Sequence, residues 1–244
     1  MTFPIARAAR AGLCGLALCA GPAGAAGPLL VSLAGPGDTP PAPWHVVGLP
    51  AQTKPFTRFS VVALDGQRVL RVEAQSSYGN LVHPVLENPN AQRLSWRWRL
   101  DQTNPASDLH RRDGDDSPLK VCALFDLPTD AVPFVERQVL RIARLRSGET
   151  LPAASVCYVW DPHLPPGTVL DNAFTRRLRM IVLRGPEAGL HTWYSEQRDV
   201  WADFKRLFSD ESLAVPPLVG IAISADADNT QSHSLAHIAT ITLD

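Results

Sequence analysis

The sequence predicts an all-β fold, a sandwich or barrel of antiparallel strands with one or two short helices on its surface. Three observations predict it. Short β-type runs rich in Val, Leu, Phe and Trp recur along the chain. Turn-forming residues separate them, and only two stretches carry helical spacing. A chain of 244 residues is long enough to bury one substantial core.

The elements follow in order. After a Pro/Gly-rich loop over Gly35–Pro43, Thr57–Leu64 faces Arg68–Ala74 across Asp65-Gly66-Gln67. Asp-Gly between two such runs is a strong hairpin signal. In the second run Leu70, Val72 and Ala74 alternate with Arg71 and Glu73, so one face is buried. Leu94–Leu100 is the clearest strand: Leu94, Trp96, Trp98 and Leu100 share one face, and Ser95, Arg97 and Arg99 share the other. Further strands are expected over Lys120–Asp126, Ser155–Trp160, Leu178–Leu183, Thr192–Arg198, Leu218–Ser224 and Ala236–Leu243. A first helix is predicted from Pro133 to Arg146, with Val135, Val139, Ile142 and Leu145 near one face and Gly148 as its stop. A second runs to Phe208, with Asp199 as its cap and Val200, Phe204 and Leu207 at helical spacing. There is no internal repeat, so residues 27–244 are expected to form a single domain.

Residues 1–26 have the order of a signal peptide: Arg7 and Arg10, an apolar stretch from Ala11 to Ala20, then small residues at Ala23-Gly24-Ala25-Ala26. Cleavage near Ala26 would make the protein periplasmic or secreted. Leu precedes both Cys14 and Cys19, which argues against lipid attachment, and the separated arginines argue against a twin-arginine route. The stretch is too short to span a bilayer, and no later segment is a transmembrane candidate. The formal net charge of −1 offers no basic field for nucleic acid or an anionic membrane. Cys122 and Cys157 remain after the leader, both in strand-like runs. An oxidising compartment permits a cross-strand disulfide. Nothing in the sequence brings their Cα atoms within bridging range, so two buried free thiols are the favoured expectation.

The most informative candidate site is the end of the run Val219–Thr230, where Asp226, Asp228 and Asn229 follow an apolar strand. Such a cluster ties down a turn, holds a hard cation or bonds a polar ligand. Gln231 and His237 stand where an EF-hand needs Gly and Glu, so an EF-hand is rejected. A calcium ion at Asp226 and Asp228 then requires oxygens from a second loop, and Asp113, Asp115 and Asp116 are the obvious donors. Trp96 and Trp98 suit either a stacking platform or the core; Trp160, at a strand end, is the better candidate for a partly exposed ring. Arg198, Asp199 and Asp203 form a mixed-charge set that could clamp an anion or pair at the helix start. The fingerprints of nucleophile-elbow hydrolases, zinc peptidases, phosphate-binding loops and dinucleotide folds are absent from the mature chain.

Taken in order, Leu94-Ser95-Trp96-Arg97-Trp98, Asp115-Asp116, Val156–Trp160, Glu196–Val200 with Asp203 and Phe208, and Ile221–Thr230 resemble the bacterial domain-of-unknown-function family 3047. The resemblance covers the chain from about Trp44 to its end. It implies an exported β-sandwich of jelly-roll type without an established activity. It also implies a shared site at Asp115, Asp116, Arg198, Asp203, Asp226, Asp228 and Asn229. Family members usually carry Gly after the helix Phe and after the Asp-Asn-Thr triplet; here Ser209 and Gln231 stand instead. The resulting expectation is a two-sheet, jelly-roll-like sandwich that binds a polar, glycan-like small molecule. Asp226, Asp228, Asn229 and Arg198 would bond the ligand or a structural calcium, and Trp160 would stack on it. Two other readings stand beside it: a glycan-active hydrolase or lyase using Asp116, Asp228 or His233, and a structural envelope protein without a ligand.

Overall fold

The computed structural model describes residues 1, 28–49, 51–85, 91–147 and 151–244. Residues 2–26 of the predicted leader and the Gly148 stop lie outside these residues. The described strands are β1 (His45–Val47), β2 (Arg58–Leu64), β3 (Gln67–Gln75), β4 (Tyr78–Pro84), β5 (Arg93–Gln102) and β6 (Leu119–Phe125). After helix α1 (Phe134–Ser147) come β7 (Ala154–Trp160), β8 (Val169–Asp171), β9 (Leu178–Arg184) and β10 (Tyr194–Asp199). Helix α2 (Val200–Phe208) precedes β11 (Leu218–Asp226) and β12 (His233–Leu243). They form a seven-stranded sheet, β1-β4-β11-β6-β7-β9-β8, and a five-stranded sheet, β10-β5-β12-β3-β2. The chain crosses repeatedly between the two, as the predicted sandwich requires.

The hairpin signal at Asp65-Gly66 becomes a two-residue turn between β2 and β3, with Leu64 opposite Gln67. Both turn residues have positive φ, 51° and 74°. This is why Gly is at home in the second position. Asp199 caps α2 as expected: its Oδ1 accepts from Trp201 N at 3.0 Å and Ala202 N at 2.9 Å.

The interior is built from the alternation read on β5. Leu94, Trp96, Trp98 and Leu100 are buried and face Val121, Ala123, Phe125, Val156, Tyr158 and Trp160 of the other sheet. Trp96 meets Tyr158 with ring centroids 5.2 Å apart, and Trp98 meets Trp160 at 5.6 Å. The two tryptophans of β5 are therefore core, not platform.

Every residue of β7 is buried. Its outer face, with that of β6, packs under Leu109 and Leu170 in a second apolar cluster that includes Cys122, Cys157, Val159 and Met180. Burial on both faces explains why Val156–Trp160 reads as a continuous apolar run.

Two expectations are corrected, on strand direction and on the cysteines, and two features were not foreseen. The sandwich is not wholly antiparallel: β7 and β9 run parallel, because the intervening segment carries the chain back before β9 begins. Strands β1, β4 and β8 carry no apolar alternation strong enough to announce themselves. Cys122 and Cys157 are not free thiols. They sit directly opposite on β6 and β7, with Cα atoms 4.0 Å apart, and form a disulfide. Finally, the apolar face of α1 does not pack inward; Leu140 is the large apolar side chain this helix buries.

Candidate functional site

Register on the seven-stranded sheet assembles the site. Ser224 of β11 lies opposite Lys120 of β6, and Asp226 lies opposite Tyr78 of β4. Tyr78, Lys120 and Asp226 therefore project from the outer face of adjacent strands. Lys120 Nζ lies 2.8 Å from Asp226 Oδ2, and Ser117 N donates to Asp226 Oδ1 at 2.6 Å. Lys120 and Asp226 are both buried. Burial alone would lower the pKa of Lys120, but the attraction of Asp226, with Tyr78 and Asp115 behind it, outweighs that and raises it.

The two acidic loops predicted as partners do meet. Asp116 is fully buried, and its carboxylate accepts from Asn229 N at 3.2 Å, Thr230 N at 2.7 Å and Thr230 Oγ1 at 2.5 Å. Asn229 Nδ2 returns a bond to the Asp115 carbonyl at 3.1 Å. The first loop is folded tightly on itself. Asp108 N and Asp116 N both donate to the Gly114 carbonyl at 2.7 Å. A side chain at Gly114 would meet Asp108 Cβ at 2.9 Å. Asp116 thus acts as the clasp between the loops and has no free oxygen to offer a ligand.

Beside the clasp opens a cavity of about 310 Å³, lined by Asp115, Asp228, Asn229, Asn172 and Thr175, with Lys120 and Asp226 also on its wall. Leu49, Phe174 and Leu178 supply its apolar part. Asn172 Nδ2 donates to Asp115 Oδ2 at 2.5 Å. Lys54 Nζ donates to the Asp228 carbonyl at 3.0 Å and stands 3.8 Å from its carboxylate. Burial is the main cause that raises Asp115 to about 6; Asp226 adds to it, while Lys120 and Asn172 oppose it. Burial also raises Asp228, with Asp116 and Asp226 reinforcing it. Acids with raised pKa values protonate more readily than free carboxylates, so they can accept from or donate to a ligand hydroxyl, and in their ionised form they repel anions.

The raised pKa of Asp115 gives a pH-dependent result. The folded state holds this proton more tightly than the unfolded chain, so its contribution to stability is present below about pH 4 and is lost as pH rises through about 6. Asp115→Asn cannot ionise and lacks that loss. In urea titrations, the variant is expected to gain on the native protein as pH rises from about 4 to 7. Parallel stability curves would show that Asp115 titrates as it does in the unfolded chain.

Sequence reasoning missed Tyr78, Lys120, Asn172 and Phe174. Lys120 left a signal, a lone charge inside the apolar run Leu119–Phe125, which a buried strand tolerates only with a partner. The structure separates other expected members from this pocket. Trp160 is only 2% exposed and packs between Trp98 and Tyr194, so it is no exposed stacking ring. Arg198 grips Asp203 through Nε at 2.9 Å and Nη2 at 2.6 Å, and Tyr158 Oη donates to the same carboxylate at 2.9 Å. These three join β7, β10 and α2 away from the pocket. His233 lies 3.4 Å from Glu73 on the other sheet. Calcium at Asp226 and Asp228 does not fit: Lys120 and Ser117 occupy the Asp226 oxygens. No group of three or more acidic, His or Cys side chains suited to a metal exists among the described residues.

The model of the family described as protein of unknown function, DUF3047, matches residues 42–242. The chain belongs to this family. No curated protein matches it. Among solved structures, this DUF3047 member is similar to TmCBM61 in complex with β-1,4-galactotriose, at 10% identity and a TM-score of 0.36, covering 83% of this chain and 88% of that one. It is also similar to the catalytic domain of Humicola grisea Cel12A, at 9% identity and a TM-score of 0.42, covering 88% and 98%. The xyloglucanase domain of NopAA from Sinorhizobium fredii gives 8% identity and a TM-score of 0.42, covering 83% and 98%.

The two positions at which this DUF3047 chain lacks glycine differ in consequence. Ser209 at the end of α2 has ordinary helical geometry, with φ −61°, and needs no Gly. Gln231 has φ +53°, in the left-handed region. For a residue with a Cβ this costs roughly 1–2 kcal/mol, partly offset in Gly by its freer unfolded chain. Gln231→Gly is therefore expected to stabilise the clasp loop by up to about 1 kcal/mol, read as a higher melting temperature. A lower one would mean that the Gln231 side chain makes a compensating contact.

Proposed function

We propose that this chain is an exported, non-catalytic module that binds a neutral, polyhydroxylated, glycan-like ligand in the pocket beside the Asp116 clasp. The observation that carries this reading is the convergence on one cavity of Asp115, Asp228, Asn172, Asn229 and Thr175 with Leu49, Phe174 and Leu178. Carboxyl and amide groups bond ring hydroxyls in pairs, and an exposed aromatic ring covers an apolar sugar face. Phe174, 54% exposed, is placed at that rim. The volume sits at the small end of ligand pockets, roughly 300–1,000 Å³, and suits a short ligand or a chain end. Lys120 is neutralised by Asp226, which leaves the acids to dominate and disfavours an anionic ligand.

The test is calorimetry and thermal melting against a panel of neutral mono- and oligosaccharides. Asp228→Ala is expected to weaken binding about tenfold or more, the cost of losing a hydrogen bond to a charged or buried group, with little change in folding. If no saccharide binds or shifts the melting temperature, the reading fails. The export step is supported by the leader and by the Cys122–Cys157 disulfide, which belongs to an oxidising compartment. Recovery of the chain solely from the cytosol, uncleaved, would count against it.

One observation favours a second reading, a glycan-active hydrolase: a carboxyl near pKa 6 is suited to general-acid work, and Asp115 is one. Saccharide cleavage that disappears in Asp115→Asn while binding persists would select it.

A further inference from the structure

The floor of the saccharide pocket holds more hydrogen-bond donors than the protein uses. Lys120 is only 6% exposed, and its ammonium carries three donors. One goes to Asp226 Oδ2 at 2.8 Å, and no other acceptor among the described residues lies within hydrogen-bond distance. Tyr78 of β4 stands opposite Asp226. Asn80 Nδ2 donates to Tyr78 Oη at 3.1 Å, so the phenol serves as an acceptor there, and its own proton has no partner among the described residues. Burial is the first cause that raises Tyr78 above the usual phenol value, so the group keeps its proton and remains a neutral donor. Both side chains line the cavity. Buried donors of this kind cost free energy unless something accepts from them. The wall beside them is of the opposite kind. Asp115 accepts from Asn172 through Oδ2 at 2.5 Å and keeps Oδ1 free of any donor among the described residues. Leu49, Phe174 and Leu178 add hydrocarbon to the same cavity.

We infer that, within the saccharide reading on which this rests, the pocket selects an N-acetylated amino sugar, with the acetamido group seated over Lys120 and Tyr78. The amide carbonyl has two lone pairs and accepts from Lys120 Nζ and Tyr78 Oη. The amide N–H donates to Asp115 Oδ1, and the methyl group packs on the apolar wall. One substituent thus answers the donors, the acceptor and the hydrocarbon together. A ring hydroxyl in the same place satisfies a donor or the acceptor and leaves the hydrocarbon uncovered. A carboxylate substituent meets Asp115, Asp226 and Asp228 around one cavity and is repelled by them in their ionised form. The acetamido group is neutral and escapes that repulsion.

The experiment is calorimetric titration of the native protein with N-acetylglucosamine and N-acetylgalactosamine, set against glucose, galactose and glucosamine. At least one N-acetylated sugar is expected to bind about tenfold or more tighter than its parent sugar, the worth of a hydrogen bond to a charged group. Tyr78→Phe removes one donor and is expected to lower that ratio about fivefold, with the parent sugar unaffected. Lys120 stays in place, because its ion pair with Asp226 holds the fold. The ratio of two affinities reports on the pocket even in a variant of lower melting temperature, and the sugar series on the native protein decides the matter if the variant does not fold. Parent sugars that bind as tightly as their N-acetylated forms, glucosamine binding tighter than N-acetylglucosamine, or an unchanged ratio in Tyr78→Phe overturns this assignment and leaves the saccharide reading standing. Binding of none of the sugars overturns both.

Discussion

Lys120→Met is expected to destabilise the protein by about 3–5 kcal/mol, the usual cost of stranding one member of a buried ion pair. Lys120 and Asp226 meet at 2.8 Å with side chains 8% and 5% exposed. Removing the ammonium leaves Asp226 with the single bond from Ser117 N at 2.6 Å and no opposing charge beside it. Equilibrium urea denaturation measures the loss. The double variant Lys120→Met/Asp226→Leu is expected to recover most of it, since replacing both charges by apolar groups is often neutral. The sign of the pH effect follows. Without Lys120 the Asp226 carboxyl holds its proton more tightly when folded than when unfolded, so the deficit shrinks as pH falls and grows as pH rises. A loss below about 1 kcal/mol, the range of a solvent-exposed pair, would show that water reaches the pair.

Loss of the Cys122–Cys157 disulfide is expected to cost about 4 kcal/mol. The bridge closes a sequence separation of 35 residues, and that loop length gives roughly this figure on the chain-entropy account. The closed loop contains α1, so without the bridge the unfolded chain regains the freedom of that whole excursion. Because Cys122 and Cys157 are 4% and 0% exposed, reductant acts slowly on the folded protein and quickly once it opens. Cys122→Ala/Cys157→Ala, compared with the native protein in calorimetry, isolates the effect. Equal melting temperatures, with thiol titration confirming that the native protein is oxidised, would show that β6–β7 pairing alone holds this region.

How much was legible depends on the kind of information each element carries. Strand β5 announced itself because one of its faces is buried, which imposes a period of two. The β2–β3 hairpin was legible because Asp65-Gly66 is a local conformational requirement. α2 was legible through its cap, another local bond. Strand β4 was hidden: Tyr78-Gly79-Asn80-Leu81-Val82-His83-Pro84 gains its place from β1 and β11 on either side, not from its own composition. In α1 the stripe was visible, but its direction was not. Periodicity shows that apolar residues share a face and is silent about what that face meets.

The candidate site divides the same way. The acids of Asp115–Asp116 and Asp226–Asn229 are named by residue type, and their family resemblance is carried by local motifs. That these loops touch, while Arg198, Asp203 and Trp160 lie elsewhere, was decided by sheet order. β11 sits next to β6, so the ends of those strands share one rim. Trp160 points inward because its place on β7 sets its face. By itself, then, the sequence determined the all-β class, the hairpin, the capped helix, the core face of β5 and the family. Tertiary structure alone decided the parallel β7–β9 pair, the disulfide, the outward stripe of α1 and the Lys120–Asp226 floor of the pocket. The physical reason is range: propensity, turns and caps act over a few residues, whereas burial partners are separated here by 106 positions from Lys120 to Asp226 and by 168 from Thr57 to Ala225.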